Sequence, residues 1–133
     1  MEKLPFSKLQ GTGNDFVIID NRKDTFKRFC FPLKEEEAIR RICSRRTGVG
    51  ADGLILVEKS DVAHFRWRFF NADGSVAEMC GNGARCAARF AYMHGIAPAR
   101  MRFETMAGII EAMVSDINVS IKMTAPRDFN LHR

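Results

Sequence analysis

No run of apolar residues in this 133-residue sequence is long enough to cross a bilayer. Runs such as FVII at 16–19 and LILV at 54–57 are four residues long, whereas a membrane helix needs about 20. The first ten residues, MEKLPFSKLQ, also lack the apolar stretch of a secretory signal. We therefore expect a cytoplasmic chain with no membrane partner.

The cysteines form neither a metal-binding nor a disulfide pattern. No two of them have the two-residue spacing of a zinc or redox motif, and His64 and His94 extend no such motif. A cytoplasmic chain also keeps its thiols reduced. The sequence thus predicts no metal site and no disulfide framework among its four cysteines, which are Cys30, Cys43, Cys80 and Cys86.

The excess of basic residues is small and scattered. Lys and Arg number 21 against 16 Asp and Glu, which gives a net charge of +5. One basic cluster lies on a predicted helix and consists of Arg40, Arg41, Arg45 and Arg46. Glu36 and Glu37 precede Arg40 and Arg41 by four residues, a spacing at which they can form ion pairs. We interpret this cluster as a solvated helix face.

Aromatic and basic residues alternate at one place in the chain. Phe65, Trp67 and Phe69 alternate with Arg66 and Arg68, a pattern similar to a stacking platform for nucleic-acid bases. A β-strand gives the same pattern, because its alternate side chains point to opposite faces. We therefore expect the rings in the core, the arginines in solvent, and no nucleic-acid partner.

Hydrophobic periodicity and turn residues predict seven strands and two helices. The strands are expected at residues 6–10, 16–20, 54–58, 65–70, 101–105, 109–114 and 119–123. The first helix follows Pro32, has three glutamates (35–37) in its first turn, and ends at Thr47-Gly48. Its buried stripe consists of Ala38, Ile39, Ile42 and Cys43.

The second helix, expected at residues 82–94, is apolar almost all round, Met93 included, and is stopped by Gly95. Only Arg85 and Arg89 form a polar stripe on it. A helix with so little polar surface is buried in a core rather than lying on a surface. The sequence therefore predicts one α+β domain, with a mixed or antiparallel β-sheet wrapped round a central helix.

A cysteine stands directly before this helix, in the run Cys80-Gly81-Asn82-Gly83. The first N–H groups of a helix have no partners within it, and glycine lets a ligand approach them closely. Such a helix start suits a carboxylate, and its dipole favours the thiolate form of a cysteine. From the residues alone, acid–base chemistry at the adjacent α-carbon and nucleophilic attack are both open for Cys80.

Three segments resemble signatures of the diaminopimelate epimerase family and occur in the family's order. The longest is NADGSVAEMCGNGAR at 71–85, and the others are GTGNDF at 11–16 and TGVGADG at 47–53. The resemblance runs from about Phe6 to Met123 and implies one half of that family's two-domain fold. It also implies a cofactor-independent enzyme that interconverts LL- and meso-diaminopimelate on the route to lysine and peptidoglycan.

The resemblance implies roles for five residues. Cys80 is one of two acid–base cysteines that act on opposite faces of the α-carbon, one removing a proton and the other delivering one. Gly81 and Asn82 hold the reacting carboxylate through the helix start, and Asn14 and Asn71 contact the substrate. On the residues alone, Asn71 is typical of a turn, and Asn14 of a turn or cap.

The sequence departs from the family pattern in two ways. Gly53 stands where some members carry a substrate-contacting Gln, so it is left out of the site. The family's second half, with the second cysteine and a His, Glu and Arg, has no counterpart here. We expect an N-terminal epimerase-like domain at 1–123 and a connecting tail at 124–133. Three explanations are open: a truncated copy, one partner of a split enzyme, or a homodimer that sets Cys80 against its symmetry mate.

Other functions also remain open at this stage. A proline-racemase-like isomerase uses paired cysteines but usually has His where Asn82 stands, and a phenazine-biosynthesis-type isomerase has a carboxylate where Cys80 stands. Outside catalysis, the alternative is an inactive half-domain that binds a small carboxylate or a partner chain. The expected small-molecule partner is an amino acid.

Overall fold

The computed structural model describes residues 3–116 and 118–123, which form seven strands and three helices. The strands are β1 (Ser7–Gln10), β2 (Asp15–Asp20), β3 (Gly53–Glu58), β4 (Phe65–Asn71), β5 (Arg100–Thr105), β6 (Gly108–Val114) and β7 (Val119–Met123). The helices are α1 (Thr25–Cys30), α2 (Glu35–Cys43) and α3 (Gly81–Met93). The predicted connecting tail at 124–133 lies outside the described residues.

The strands form one mixed sheet whose order follows the sequence. The β2–β3 and β4–β5 pairs are parallel, and the other neighbours are antiparallel. Both edge strands, β1 and β7, contact α3, as do β2, β3 and β6, so the sheet curls round that helix. The prediction of an α+β domain with a mixed sheet wrapped round a central helix is confirmed.

Apolar cores lie on both faces of the sheet. The inner core packs alanines of α3, such as Ala84 and Ala87, against Phe16 and Ile55. The outer core packs α1 and α2 against the residues of the same strands that point the other way, such as Leu54. Because β3 is covered on both faces, all six of its residues are buried, which explains its continuous apolar run.

The aromatic residues of β4 lie in the inner core, as predicted. Phe65, Trp67 and Phe69 are at most 7% exposed, whereas Arg66 is exposed and Arg68 is half-buried on the opposite face. The alternation therefore comes from the strand, not from a platform for bases. No helix in the described part of the chain has the length and apolarity needed to cross a membrane.

The predicted end of the first helix was wrong. α2 ends at Cys43, because Ser44 has an extended backbone (φ −63°, ψ 129°) and its Oγ accepts hydrogen bonds from the N–H groups of Arg46 and Thr47. Arg45 and Arg46 consequently lie in the following loop, not on the helix face.

Side-chain details of the two predicted helices also differ. Arg40 forms its ion pair with Glu37, three residues earlier, and not with Glu36, the predicted partner. Arg41 pairs with Glu37 as predicted. Met93, predicted within the apolar surface of α3, is 62% exposed in its last turn. Tyr92, also in that turn, is 47% exposed. The apolar residues of α3 before Tyr92, from Ala84 to Ala91, are buried as expected, because they pack in the inner core.

Helix α1 was not predicted. It follows Asp24, whose φ of 57° is left-handed, and Phe26 and Cys30 are its buried residues. The Phe26 N–H donates to Asn21 Oδ1 over 2.8 Å, so a side chain from the preceding loop satisfies the start of the helix.

Candidate active site

The three motif segments meet at one end of the sheet. β2 and β3 both begin there and β4 ends there, because Phe16 pairs with Gly53 and Gly53 pairs with Asn71. Asn14 and Asp52 lie in the loops that adjoin this end, and Asn71 is the last residue of β4. The parallel pairing of β2 with β3 thus brings together segments that are far apart in the sequence.

Cys80 is the residue that directly precedes α3, as predicted. Its backbone is extended (φ −135°, ψ 128°), and its carbonyl accepts the first helical hydrogen bond, from the Ala84 N–H, over 2.9 Å. Its side chain is half-buried and its thiol is free. A Cβ on Gly83 would lie 3.8 Å from Cys80 Cβ and 3.5 Å from the Phe69 ring, so the helix start packs closely on the inner face of β4.

The Asn82 side chain joins the start of α3 to the β1–β2 turn. Its Nδ2 donates to the Thr12 carbonyl oxygen over 3.1 Å and to Asn14 Oδ1 over 2.9 Å. Its Oδ1 accepts from Arg85 Nη2 over 2.6 Å. A Cβ on Gly11 would lie 3.0 Å from Asn82 Cβ, a tight contact, so the close approach of the turn favours glycine there.

A charged cluster continues from Asn14. Asn14 Nδ2 donates to Asp52 Oδ2 over 3.4 Å, and the N–H of Asp15 donates to the same oxygen over 3.1 Å. Arg45 bonds both carboxylates, Asp15 over 2.9 Å and Asp52 over 3.1 Å. The Arg45 hydrogen bond, assisted by Lys8, holds the pKa of Asp15 well below its usual range despite the opposing effect of burial. Asp15 is therefore ionised throughout the neutral range.

Asn71 lies at the same end of the sheet but bonds within its own turn. Its Nδ2 donates to Ser75 Oγ over 3.1 Å, and its carbonyl oxygen accepts from the Gly74 N–H over 2.9 Å. Its place in β4 puts it on the face of Phe69, two residues before it. The structure thus bonds Asn14 to Asn82, whereas Asn71 is exposed and closes the turn that its sequence indicated.

Sequence reasoning missed four residues that bond to one another or to Asn14 and Asn82. Asp15, Asp52 and Arg85 lie inside the motif segments but were given no role, and Arg45 was placed on a helix. The spacing of Arg85 from Asn82, three residues on a helix, allows a contact between them. Nothing local in the sequence indicates that Arg45 bridges Asp15 and Asp52.

Comparison with known proteins decides the family. The sequence model described as diaminopimelate epimerase matches residues 6–128. The chain belongs to the diaminopimelate epimerase family. Two relatives named diaminopimelate epimerase are 52% identical over 132 residues (Aquifex aeolicus) and 54% identical over 123 residues (Hydrogenobaculum sp.). The matches cover 92% and 89% of this chain but 46% and 44% of the relatives, so the chain spans about half their length.

A solved structure shows the same fold at low sequence identity. The probable proline racemase from Agrobacterium radiobacter K84 has a TM-score of 0.65 and 15% identity, over 91% of this chain and 42% of that one. This likeness supports the assignment of the domain as one half of a diaminopimelate-epimerase-like fold.

The remaining cysteines of this diaminopimelate epimerase family member are buried thiols. Cys30 and Cys43 lie in the outer core and Cys86 in the inner core. Burial raises the pKa of each of these thiols to about 11, so all three are protonated at neutral pH. Of the four cysteines, which all lie among the described residues, only Cys80 stands at a helix start and is not buried.

One cavity of the domain adjoins the family motif. β4 and β5 pair only at Phe65–Phe103 and Arg66–Glu104 and then separate, which leaves a cavity of about 800 Å³ between them. Its lining includes Met79, the residue before Cys80, but not Cys80 itself. The cavity therefore lies beside the helix start rather than over it.

Proposed function

We propose that Cys80 is one of two acid–base cysteines of an epimerase that inverts an α-carbon of diaminopimelate. The observation that carries this proposal is the position of Cys80, within reach of solvent at the start of a buried helix. The same helix start holds the β1–β2 turn through Asn82, so Asn14 lies next to it. Membership of the family supplies the substrate class.

In the proposed chemistry, the start of α3 supplies both the base, Cys80, and the N–H groups that stabilise the developing negative charge. Sγ of Cys80, as thiolate, forms its S–H bond while the substrate's α-C–H bond breaks, and the electron pair passes into the adjacent carboxylate. The first N–H groups of α3, at Gly81 and Asn82, stabilise the charge that builds up there. Inversion then requires a proton delivered to the opposite face of the α-carbon.

The proton donor on that face comes from outside this domain. The described residues hold no second cysteine at a helix start, and the chain spans about half the length of its relatives. We therefore propose that residues 1–123 act with a second half-domain or with a second copy of the chain. In this proposal the assembly works in the cytoplasm on an amino acid.

The test follows α-hydrogen exchange and stereochemistry in D₂O. LL-diaminopimelate is incubated with the chain alone, and with the chain plus the part of the Aquifex aeolicus relative that it does not match. The mixture is expected to form meso product with deuterium at the inverted carbon, and Cys80→Ser is expected to abolish this. Cys86→Ser is the matched control, because it removes a buried thiol from the same helix.

A second candidate function is binding of a small carboxylate without turnover. It follows from the presence of only one cysteine at a helix start among the described residues. It holds if the chain binds diaminopimelate while neither the mixture nor the chain at high concentration exchanges the α-hydrogen. The epimerase proposal fails outright if Cys80→Ser leaves exchange in the mixture unchanged.

A further inference from the structure

We propose that Arg85 is a positioning residue that acts through Asn82 on the side chain of Asn14. In this proposal it fixes the Asn14 carboxamide so that one of its N–H groups is left for a carboxylate of the ligand. The identity of the ligand rests on the proposed function, but the hydrogen-bond chain does not.

Arg85 determines which way the Asn82 amide points. A carboxamide has a donor end and an acceptor end, whereas a guanidinium can only donate. Arg85 Nη2 lies 2.6 Å from Asn82 Oδ1, so the acceptor end faces Arg85 and the donor end faces the turn. The guanidinium reaches back over the start of α3, since a Cβ on Gly81 would lie 3.7 Å from Arg85 Nη1.

The hydrogen bonds of Asn82 leave its side chain no donor for a ligand. Nδ2 carries two N–H groups, and one bonds the Thr12 carbonyl oxygen while the other bonds Asn14 Oδ1. A ligand at the helix start therefore meets the backbone N–H of Asn82, and the side chain clamps the turn to the helix.

Asp52 fixes the other end of the series of hydrogen bonds that starts at Arg85. An ionised carboxylate can only accept hydrogen bonds, so the Asn14 amide turns its Nδ2 towards Asp52 and its Oδ1 towards Asn82. Arg45 and the Asp15 N–H hold Asp52 in place. A donor-only group and an acceptor-only group thus set the orientation of both amides between them.

One side-chain N–H of Asn14 is left to donate to a ligand. Its Nδ2 donates one N–H to Asp52, and the described residues show no acceptor for the other. The first N–H groups of α3, which have no partner within the helix, follow Cys80 on the helix that Asn82 joins to Asn14. The free N–H of Asn14 and the N–H groups of the helix start are all donors, and the positive charge of Arg85 lies near the helix start. The arrangement selects an anionic acceptor such as an α-carboxylate over an ammonium or an ester.

The test is a double-mutant cycle with Arg85→Met, Asn14→Ala and the double variant. The first readout needs no ligand: the ¹H–¹⁵N resonances of the side-chain amides. Arg85→Met is expected to shift the resonances of Asn82 and Asn14 but not that of Asn71. The matched control is Arg89→Met, which removes the same charge one turn further along α3 and is expected to shift none of them.

The second readout is the affinity of the chain for meso-diaminopimelate. Arg85→Met is expected to weaken binding about tenfold, as for the loss of a hydrogen bond to a charged ligand, and to have no further effect in the Asn14→Ala background. Arg85→Lys, which keeps a donor, is expected to restore most of the affinity.

Each outcome decides between the two proposals. Equal weakening by Arg85→Met in both backgrounds means that Arg85 contacts the ligand directly, and unchanged amide resonances mean that it orients nothing; either result overturns the positioning role. If the amides respond but diaminopimelate binds neither the chain nor its mixture with the unmatched part of the Aquifex aeolicus relative, the proposed substrate is wrong and the positioning role stands.

Discussion

The Asn82 carboxamide donates a hydrogen bond to Asn14 Oδ1 over 2.9 Å, although 68 residues separate the two in the sequence. This contact attaches the first turn of the chain to the start of the central helix. Because Cys80 directly precedes that helix, the geometry around its thiol depends on the contact.

Replacing Asn82 by Ala tests the contact as a structural clamp. The substitution removes the bonds to Thr12, Asn14 and Arg85, and we expect it to lower the free energy of unfolding by about 1–2 kcal/mol, measured in urea. Asn71→Ala is the control, since it removes one exposed bond and is expected to cost less than about 0.5 kcal/mol. Equal losses in the two variants contradict the clamp.

Gly53 is a position where a side chain has no room. A Cβ there would lie 2.8 Å from the Phe70 carbonyl oxygen and 3.1 Å from the Phe69 ring. We expect Gly53→Ala to cost about 2–3 kcal/mol in thermal or urea unfolding. Gly95→Ala, at a positive φ of 71° with open space around it, is expected to cost about 1 kcal/mol.

The same crowding explains a departure from the family pattern. A Gln at position 53 cannot reach a substrate in this chain without displacing the β4 backbone, so Gly53→Gln is expected to destabilise the domain and not to improve binding. A stable Gly53→Gln variant with increased affinity for diaminopimelate is the result that contradicts this explanation.

The cysteines are expected to differ in their reaction with iodoacetamide. Cys80 is half-buried, whereas Cys30, Cys43 and Cys86 are buried and have pKa values raised to about 11. Because the thiolate is the nucleophile, Cys80 should be labelled first at pH 7–8, and the other three only in urea or at strongly alkaline pH. Peptide mapping by mass spectrometry measures this order, and early labelling of Cys86 would contradict it.

Glu58 should make stability depend on pH. It is 8% exposed and accepts hydrogen bonds from Asn21, Arg66 and Arg68. Burial opposes its ionisation, but the hydrogen bonds from Arg68, Asn21 and Arg66, together with the charge of Arg68, outweigh burial and lower its pKa. A lowered folded-state pKa stabilises the protein above the ordinary value of 4.5, and this contribution is lost as the pH falls through the folded-state value.

Urea unfolding between pH 7 and pH 3 checks this dependence. We expect Glu58→Gln to lose about 2 kcal/mol at pH 7 and to show a shallower fall in stability towards pH 3 than the parent chain. Glu111→Gln is the control, because Glu111 forms an exposed pair with Arg102 at 4.0 Å. Parallel pH profiles for Glu58→Gln and the parent would show that Glu58 contributes nothing to the dependence.

Local patterns were sufficient to predict most of the fold. Each predicted strand boundary lies within one residue of the structure, because side-chain alternation and turn glycines are local signals. The central helix was predictable from its near-absence of polar residues. Helix α1 was not predictable, since it follows a left-handed Asp24, has no acidic residue in its first turn, and takes its acceptor from Asn21.

The candidate site was predictable only where a motif is continuous. Cys80 before a helix start can be read from its neighbours, but the contact of Arg45 with Asp15 and Asp52 depends on the parallel pairing of β2 and β3. Arg85 shows the same limit within one helix. Its spacing from Arg89 indicated a polar stripe, and the sequence could not show that its guanidinium turns back to Asn82.

In the proposed function, Cys80 faces the carboxylate site at the start of α3. The most direct measurement is the rate of Cys80 alkylation by iodoacetamide, with and without saturating meso-diaminopimelate. Cadaverine, which has the same carbon chain and amino groups without the carboxylates, serves as the control. We predict that diaminopimelate slows labelling of Cys80 at least about tenfold while cadaverine has no effect. An unchanged rate in diaminopimelate, or equal protection by cadaverine, would contradict the account.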